Sequence, residues 1–304
     1  MTYVAKRLVY ALLVIFSVLT IVFFLVRLSG DPTPLFVPLS ATQAEVEQLR
    51  KEIGLDQPVY IQYYRFLKRS VQGDFGLSLR YQQPALDLVI VRLPATLELA
   101  LVALTFMFVI ALPLGILSAV KRNSPVDLFS SALALFGQSV PGFWLGLVLI
   151  LIFSVKLALF PSSGYKGFLS LILPGITLAA FSSSLVARMT RSSLLEVLGS
   201  NYITTARSKG LSEWTVILKH SLRNAAIPIV TIIGLQVGPM LSGAIITEQV
   251  FGFPGMGRLA VQAVLNRDYP VVQAFVVVAA SLITLTNLTV DILYYLLDPR
   301  LRHE

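Results

Sequence analysis

The chain has 304 residues, 56% of them hydrophobic and only 13% charged, with a net charge of +8. Soluble domains carry about 25% charged residues, so these charges are too few to cover a globule of this length, and the composition reads as an integral membrane protein. There are no cysteines and only two histidines, His220 and His303, far apart and without a carboxylate cluster. Disulfides, thiolate catalysis and Cys-ligated metals are excluded, and a metal site is not expected. The positive excess does not call for nucleic acid, because membrane proteins gather Lys and Arg on cytoplasmic loops.

Lys6 and Arg7 precede an apolar run from Leu8 to Leu28. This is about the 20 residues needed to cross the hydrocarbon. It is longer than a signal-peptide core and no clear A-x-A cleavage site follows. Residues 1–28 therefore read as an uncleaved transmembrane helix with a cytoplasmic N-terminus.

Residues 29–95 form the longest non-membrane segment. Thr42-x-x-Glu45 is a capping box and Gly54 a stop signal, which predicts a helix over Gln43–Ile53. Pro58 opens a second helix carrying Tyr60, Tyr63, Tyr64 and Phe66, ending near Gly73. The acids Asp31, Glu45, Glu47, Glu52, Asp56, Asp74 and Asp87 balance the bases Arg50, Lys51, Arg65, Lys68, Arg69, Arg80 and Arg92. A neutral, aromatic-rich segment fits the outer face, as a helical cap on the membrane domain, a surface for a partner, or both.

Residues 96–304 read as a core of about five further spans. The second span covers Thr96–Val120. The apolar stretch Val126–Phe160 exceeds one straight crossing, and Pro141-Gly142 inside it predicts a break. Pro161–Lys166 make an outer turn. A fourth span, Phe168–Val186, is closed by Arg188 and Arg191; a fifth covers Ala225–Thr247 and a sixth Val271–Leu297. Lys6, Arg7, Lys121, Arg122, Arg188, Arg191, Arg207, Lys209, Lys219, Arg223, Arg300 and Arg302 fall on one side. Lys166, Arg258 and Arg267 fall on the other. The expectation is an all-α membrane protein of about six transmembrane helices with both termini cytoplasmic.

Between the fourth and fifth spans lies a polar, basic segment, 200–224. Ser200 or Asn201 can cap a short helix over Tyr202–Lys209, with Gly210 just past its end. Ser212 starts a second, amphipathic helix with Trp214, Ile217, Leu218 and Leu222 on or near one face. Charge alone allows either an ordinary cytoplasmic loop or a docking helix for a soluble partner.

No phosphate-binding G-x-x-x-x-G-K-[ST] loop and no catalytic triad occur. The ionisable residues within or beside the spans, Glu98, Lys156, Glu248 and Asp291, read as snorkelling groups near span ends. In the fifth span Gly234-x-x-x-Gly238 and Gly243 are small, and Gln236 and Ser242 are polar. Small residues let helices approach closely, either within one subunit or at a subunit interface lining a substrate path. Gln138, Ser139 and Pro141 add a second polar, broken patch at membrane depth.

The run Tyr202-Ile-Thr-Thr-Ala-Arg-Ser-Lys-Gly-Leu-Ser, followed by Lys219-His-Ser-Leu-Arg-Asn-Ala-Ala-Ile-Pro228, resembles the cytoplasmic "EAA" loop of ABC-importer permeases. The form is closest to the dipeptide, oligopeptide and nickel permease group. Further matches are GDP at Gly30–Pro32, GLD-x-P at Gly54–Pro58, GDFGLSL at Gly73–Leu79, LPATLELA at Leu93–Ala100, SVPGFWLG at Ser139–Gly146, FPSSG at Phe160–Gly164 and TEQVFGFPGMGRL at Thr247–Leu259. The chain departs from the general signature: Thr204, Thr205 and Ala206 stand where E-A-A is usual, and the later proline is displaced to Pro228.

The resemblance implies a type I ABC-importer permease fold in a bacterial or archaeal inner membrane. It implies a second homologous permease subunit, two cytoplasmic ATPase subunits and an extracytoplasmic solute-binding protein as partners, besides membrane lipid and without nucleic acid. ATP and Mg would sit on the ATPases, and this chain would bind no cofactor and be no enzyme. The solute would be a small peptide or a relative. Tyr202, Thr205, Ala206, Arg207, Lys209, Gly210 and Leu211 would couple to an ATPase. The rivals are a secondary transporter, which lacks an inverted repeat and a clear coupling acid here, and a membrane anchor that recruits a cytoplasmic partner.

Overall fold

The computed structural model describes residues 2–28, 30, 33 and 42–297. Asp31, Pro32, Arg300, Arg302 and His303 lie outside the described residues. Every extended element among the described residues is helical, and the only strand-like pairing is an isolated bridge between Leu77 and Pro84. The chain divides into two compact units, Met1–Ala95 with Pro254–Leu285, and Thr96–Phe253 with Thr286–Glu304.

In the first unit α1 (Thr2–Leu28) is followed by α2 (Gln43–Ile53) and α3 (Val59–Val71). The capping box is formed: the Glu45 amide donates to the Thr42 hydroxyl at 3.4 Å and the Thr42 amide to the Glu45 carboxylate at 2.8 Å. Gly54 closes α2 with a left-handed φ of 76°. α3 packs on α1 through aromatic rings and one fork. Phe23 is fully buried between Tyr63 and Phe66, and Arg27 lies 3.8 Å over its ring. The same guanidinium donates to Gln62 Oε1 from Nε at 3.0 Å and from Nη2. The 73–84 turn is pinned by the buried Asp268, which accepts from the Ser78 hydroxyl at 2.5 Å and the Leu79 amide at 3.2 Å. α11 (Met256–Leu265) lies in this unit, and α12 (Tyr269–Leu297) begins there.

α4 (Ala85–Val120) starts well before the expected Thr96. Pro94 reads as a boundary because it lacks an amide, but it lies inside the helix. Ala85, Leu88 and Val89 are buried, and their packing outweighs one lost backbone bond.

The second unit contains α5 (Pro125–Ser139), α6 (Gly142–Leu149, continuing as a π-helical turn Ile150–Lys156) and α7 (Leu169–Leu198). It also contains α8 (Asn201–Ser208), α9 (Glu213–Thr215), a π-helical turn Val216–Ser221, and α10 (Leu222–Val250). The predicted break at Pro141-Gly142 is a bend of 108° between α5 and α6. α7 is the most buried helix of this unit. It lies so close to α4 that a Cβ on Gly115 would sit 2.6 Å from the Ala187 carbonyl oxygen, which leaves glycine as the residue that fits.

α7 continues to Leu198, past Val186 where the fourth span is expected to close, and Arg188 and Arg191 are bonded there to Gln138 and Asp127. One sequence expectation is corrected here. Ser212 does start a helix, its hydroxyl accepting from the Thr215 amide at 3.4 Å, but that helix runs on through the π turn into α10 as one stretch, Glu213–Val250. A π turn holds extra residues per turn and shifts the faces, so Val216, Ile217 and Ser221 are buried while Trp214 is 71% exposed. Four helices, Ala85–Val120, Leu169–Leu198, Glu213–Val250 and Tyr269–Ile292, are long and apolar enough to cross a membrane. The bent α5–α6 pair makes a fifth if it is one span; Val9–Leu25 of α1 is a shorter apolar helix.

Candidate coupling and translocation site

α8 and the turn after it form a compact knob. Ser200 precedes α8 in extended conformation, but its hydroxyl donates to the Val197 carbonyl at 2.5 Å and accepts no amide of the helix end. Gly210 has a φ of 74°, a left-handed conformation that glycine adopts without strain, and no atom lies within 4 Å of where its Cβ would be. Ile203, Ala206 and Val216 form a buried cluster against Val197 and Leu198. Ala206 is therefore small because α8 packs on the π turn, not because it faces outward.

The remaining predicted coupling residues are open. Tyr202, Thr205, Arg207, Lys209, Gly210 and Leu211 are exposed. The Tyr202 hydroxyl accepts from Asn224 Nδ2 at 2.9 Å, and Thr205 donates to the Asn201 carbonyl at 3.0 Å. Arg207 is already answered within the chain: Nε and Nη2 reach the two Glu213 carboxylate oxygens at 2.9 and 3.2 Å. The sequence names Glu213 as the only acid of this segment; the fold assigns it to Arg207.

Beside the helix break, Ser139 and Pro141 are exposed and Gln138 is half-buried. Gln138 Oε1 accepts from Arg188 Nη1 at 2.6 Å. Next to this pair lies a cavity of about 570 Å³ whose walls include Ser131, Leu135, Leu185, Arg188, Ser192 and Ile232. Arg191 also borders it, but Asp127 engages Arg191 through two bonds of 2.8 Å. Asp127 accepts in addition from Ser118, from the Asn123 amide and from Ser131. Sequence reading missed Asp127; its signal was Ser124 three residues earlier, whose hydroxyl accepts from the Asp127 amide at the start of α5.

On α10, Gly234, Gln236 and Gly238 are buried within this one chain. Ser182 donates to Gln236 Oε1 at 3.2 Å. A Cβ on Gly243 would lie 3.1 Å from Leu178 Cδ1, and Ser242 alone of the five is exposed. Gly234, Gln236 and Gly238 are thus covered, while Ser139, Pro141 and Ser242 are open.

Lys156 is exposed, but the snorkelling expectation fails for Glu248. Glu248 is 0% exposed and accepts from the Thr96 hydroxyl at 2.6 Å. A carboxylate in apolar surroundings persists where polar partners satisfy it, and α4 supplies one. Glu98 accepts from the Tyr165 hydroxyl at 3.0 Å. This bond, then loss of hydration, then the Glu98 charge push the Tyr165 phenol above its ordinary pKa. Among the described residues no group of three or more His, Cys, Asp or Glu side chains is placed to hold a metal.

A family model described as "Binding-protein-dependent transport system inner membrane component" matches residues 111–303, and its N-terminal companion matches residues 1–100. The chain belongs to this family. The permease is 42% identical over 305 residues to the glutathione transport system permease protein GsiC of Escherichia coli K12, covering all of both chains. The same identity and coverage hold for GsiC of Shigella dysenteriae. In fold it is similar to the MetNI methionine ABC transporter, captured in inward-facing conformations, with a TM-score of 0.61 and 22% identity over 69% of this chain and 96% of that one. An amino acid ABC transporter with histidines gives a TM-score of 0.52, also at 22% identity, over 70% and 94%. The protein is an inner-membrane permease subunit of an ABC importer. ATPase activity in such importers lies in separate subunits. Neither the family nor the fold supports the secondary-transporter or anchor readings.

Proposed function

We propose that this permease forms half of the translocation path for small peptides or a chemically related solute, of which glutathione is the first to test. The full-length 42% identity to a glutathione permease carries this reading. The cavity beside the helix break is consistent with it: Arg188 there is bonded to a neutral amide, which suits a solute bearing a carboxylate. The partners are a second homologous permease, two cytoplasmic ATPases carrying ATP and Mg, and an extracytoplasmic solute-binding protein.

In this reading residues 1–28 are a transmembrane helix, 29–95 lie outside the cytoplasm, and 96–304 form the core. About six crossings then leave both termini inside. The exposed face of α8, with Tyr202, Thr205, Lys209 and Leu211, sits on an ATPase, and Gly210 allows close approach at its end. Closure of the ATPases pushes α8, and the rigid cluster of Ile203, Ala206 and Val216 passes that push to α7 and α10. Solute-loaded binding protein and ATP must favour different access states, because only differential affinity shifts such an equilibrium. Gln138, Ser139, Pro141 and Ser242 line the path, while Gly234, Gln236, Gly238 and Gly243 set the packing that shapes it.

The test is to purify the cognate binding protein, release its ligand under denaturing conditions and identify it by mass spectrometry. Glutathione or a short peptide supports the proposal. A metal chelate or a sugar-like solute overturns the substrate class and leaves the importer assignment standing.

A further inference from the structure

One side of α3 has no cover within its unit. The helix buries none of its residues completely. Its inner side is held by α1: Tyr63 meets the Thr20 hydroxyl at 2.7 Å, Phe66 lies 5.4 Å from the Phe23 ring, and Gln62 takes the Arg27 fork. Its other side presents Tyr60, Tyr64 and Val71, which are 73%, 67% and 88% exposed. At 3.6 residues per turn these three fall on one narrow stripe. Lys68, Arg65 and Arg69 follow around the same open side, and α3 contains no acid. Arg69 reaches Asp74, beyond the helix, at 3.7 Å.

We propose that α3 lies in the membrane interface, with the stripe of Tyr60, Tyr64 and Val71 at the acyl boundary and Lys68 and Arg65 on anionic phospholipid headgroups. This rests on α1 being a membrane span. The contacts with α1 set the depth. Thr20, Phe23 and Phe24 belong to the apolar stretch Val9–Leu25, and Arg27 lies just past it. α3 therefore runs beside the last turns of an apolar helix and is not held out in water. A helix with apolar side chains gathered on one stripe and basic ones on its polar flank has the pattern of an interfacial helix. Tyrosine favours the headgroup level, and Lys and Arg lay their stems on apolar surface while their heads reach phosphate. The basic flank is complementary to anionic lipid, and tyrosine beside it serves a lipid boundary in a way an open aqueous face would not.

The experiment uses the full chain in the purified transporter, in nanodiscs of phosphatidylcholine with or without phosphatidylglycerol. The absence of native cysteine permits single spin labels at Val14, Glu47 or Val71. Accessibility to oxygen against a water-soluble nickel chelate reports depth. Position 14 is expected in hydrocarbon, 47 in water and 71 at the interface, deeper with phosphatidylglycerol. Lys68→Glu with Arg65→Glu shifts position 71 toward the value at 47 in that lipid, each lost positive charge weakening headgroup attraction about fivefold. Lys68→Arg with Arg65→Lys leaves it unchanged, which separates lost attraction from misfolding. Position 71 in water while 14 is in lipid overturns the proposal alone; both in water overturns the span reading of α1. Shielding of position 71 that appears only with added binding protein assigns this face to protein and also overturns it.

Discussion

Arg191 on α7 holds Asp127 on α5 through two hydrogen bonds of 2.8 Å, donated by Nε and Nη2 to the two carboxylate oxygens. The carboxylate is buried and the guanidinium is partly open. The pair fixes the first turn of α5 against α7, next to the cavity and before the bend. Removing one member strands the other. Asp127→Ala or Arg191→Ala is expected to cost about 2 kcal/mol, below the 3–5 of a fully buried pair because Arg191 keeps some water. Joint replacement by leucine is expected to recover part of this loss. Melting of the detergent-solubilised subunit checks it, and equal losses in single and double variants would remove the pair from this role.

At Gly210 the left-handed backbone and the empty surroundings act together. Gly210→Trp leaves the apolar spans untouched, and its Cβ meets no atom of this chain within 4 Å, so membrane insertion is expected to survive. Coupling is expected to fail, because a bulky side chain blocks the approach of an ATPase to the end of α8. Asparagine tolerates the left-handed region best after glycine, so Gly210→Asn is expected to keep most function. The measurement is solute-stimulated ATP hydrolysis in the reconstituted transporter. Full stimulation with the tryptophan variant would sink the docking assignment.

Glu248 belongs to the packed interior of its unit and not to the lipid surface. Glu248→Gln keeps a carbonyl acceptor for Thr96 and is expected to be mild. Glu248→Leu leaves the Thr96 hydroxyl without this acceptor, at a cost of about 1–3 kcal/mol. Folded yield and melting temperature separate the two. A carboxylate that merely reached for headgroups would tolerate both changes equally.

Topology can be read with cysteine labels at Ser208 on α8 and Glu47 on α2, both exposed. The two labels are expected to react from opposite sides of the membrane in intact cells. Reaction of both from outside would refute the cytoplasmic placement of α8.

The sequence by itself determined whatever depends on local chemistry or on strong repetition. Thr42, Glu45 and Gly54 delimit α2 to the residue, because a capping box and a left-handed glycine act within one helical turn. Pro141-Gly142 marks the bend, because proline removes a backbone donor wherever it stands. The family was legible because the motif of the basic segment 200–224 is contiguous. Tertiary structure decided the rest. Pro94 sits inside α4 because burial of Ala85, Leu88 and Val89 outweighs a local preference. Arg188 and Arg191 read only as charges near a span end, and that they hold Gln138 and Asp127, far away in sequence, is shown by the fold alone. Glu248 reads as a surface charge until Thr96 meets it across 152 positions of chain. Ala206 reads as a contact for a partner until Val216 covers it. In each case the partner lies beyond the reach of local pattern, and desolvation rather than propensity sets the outcome.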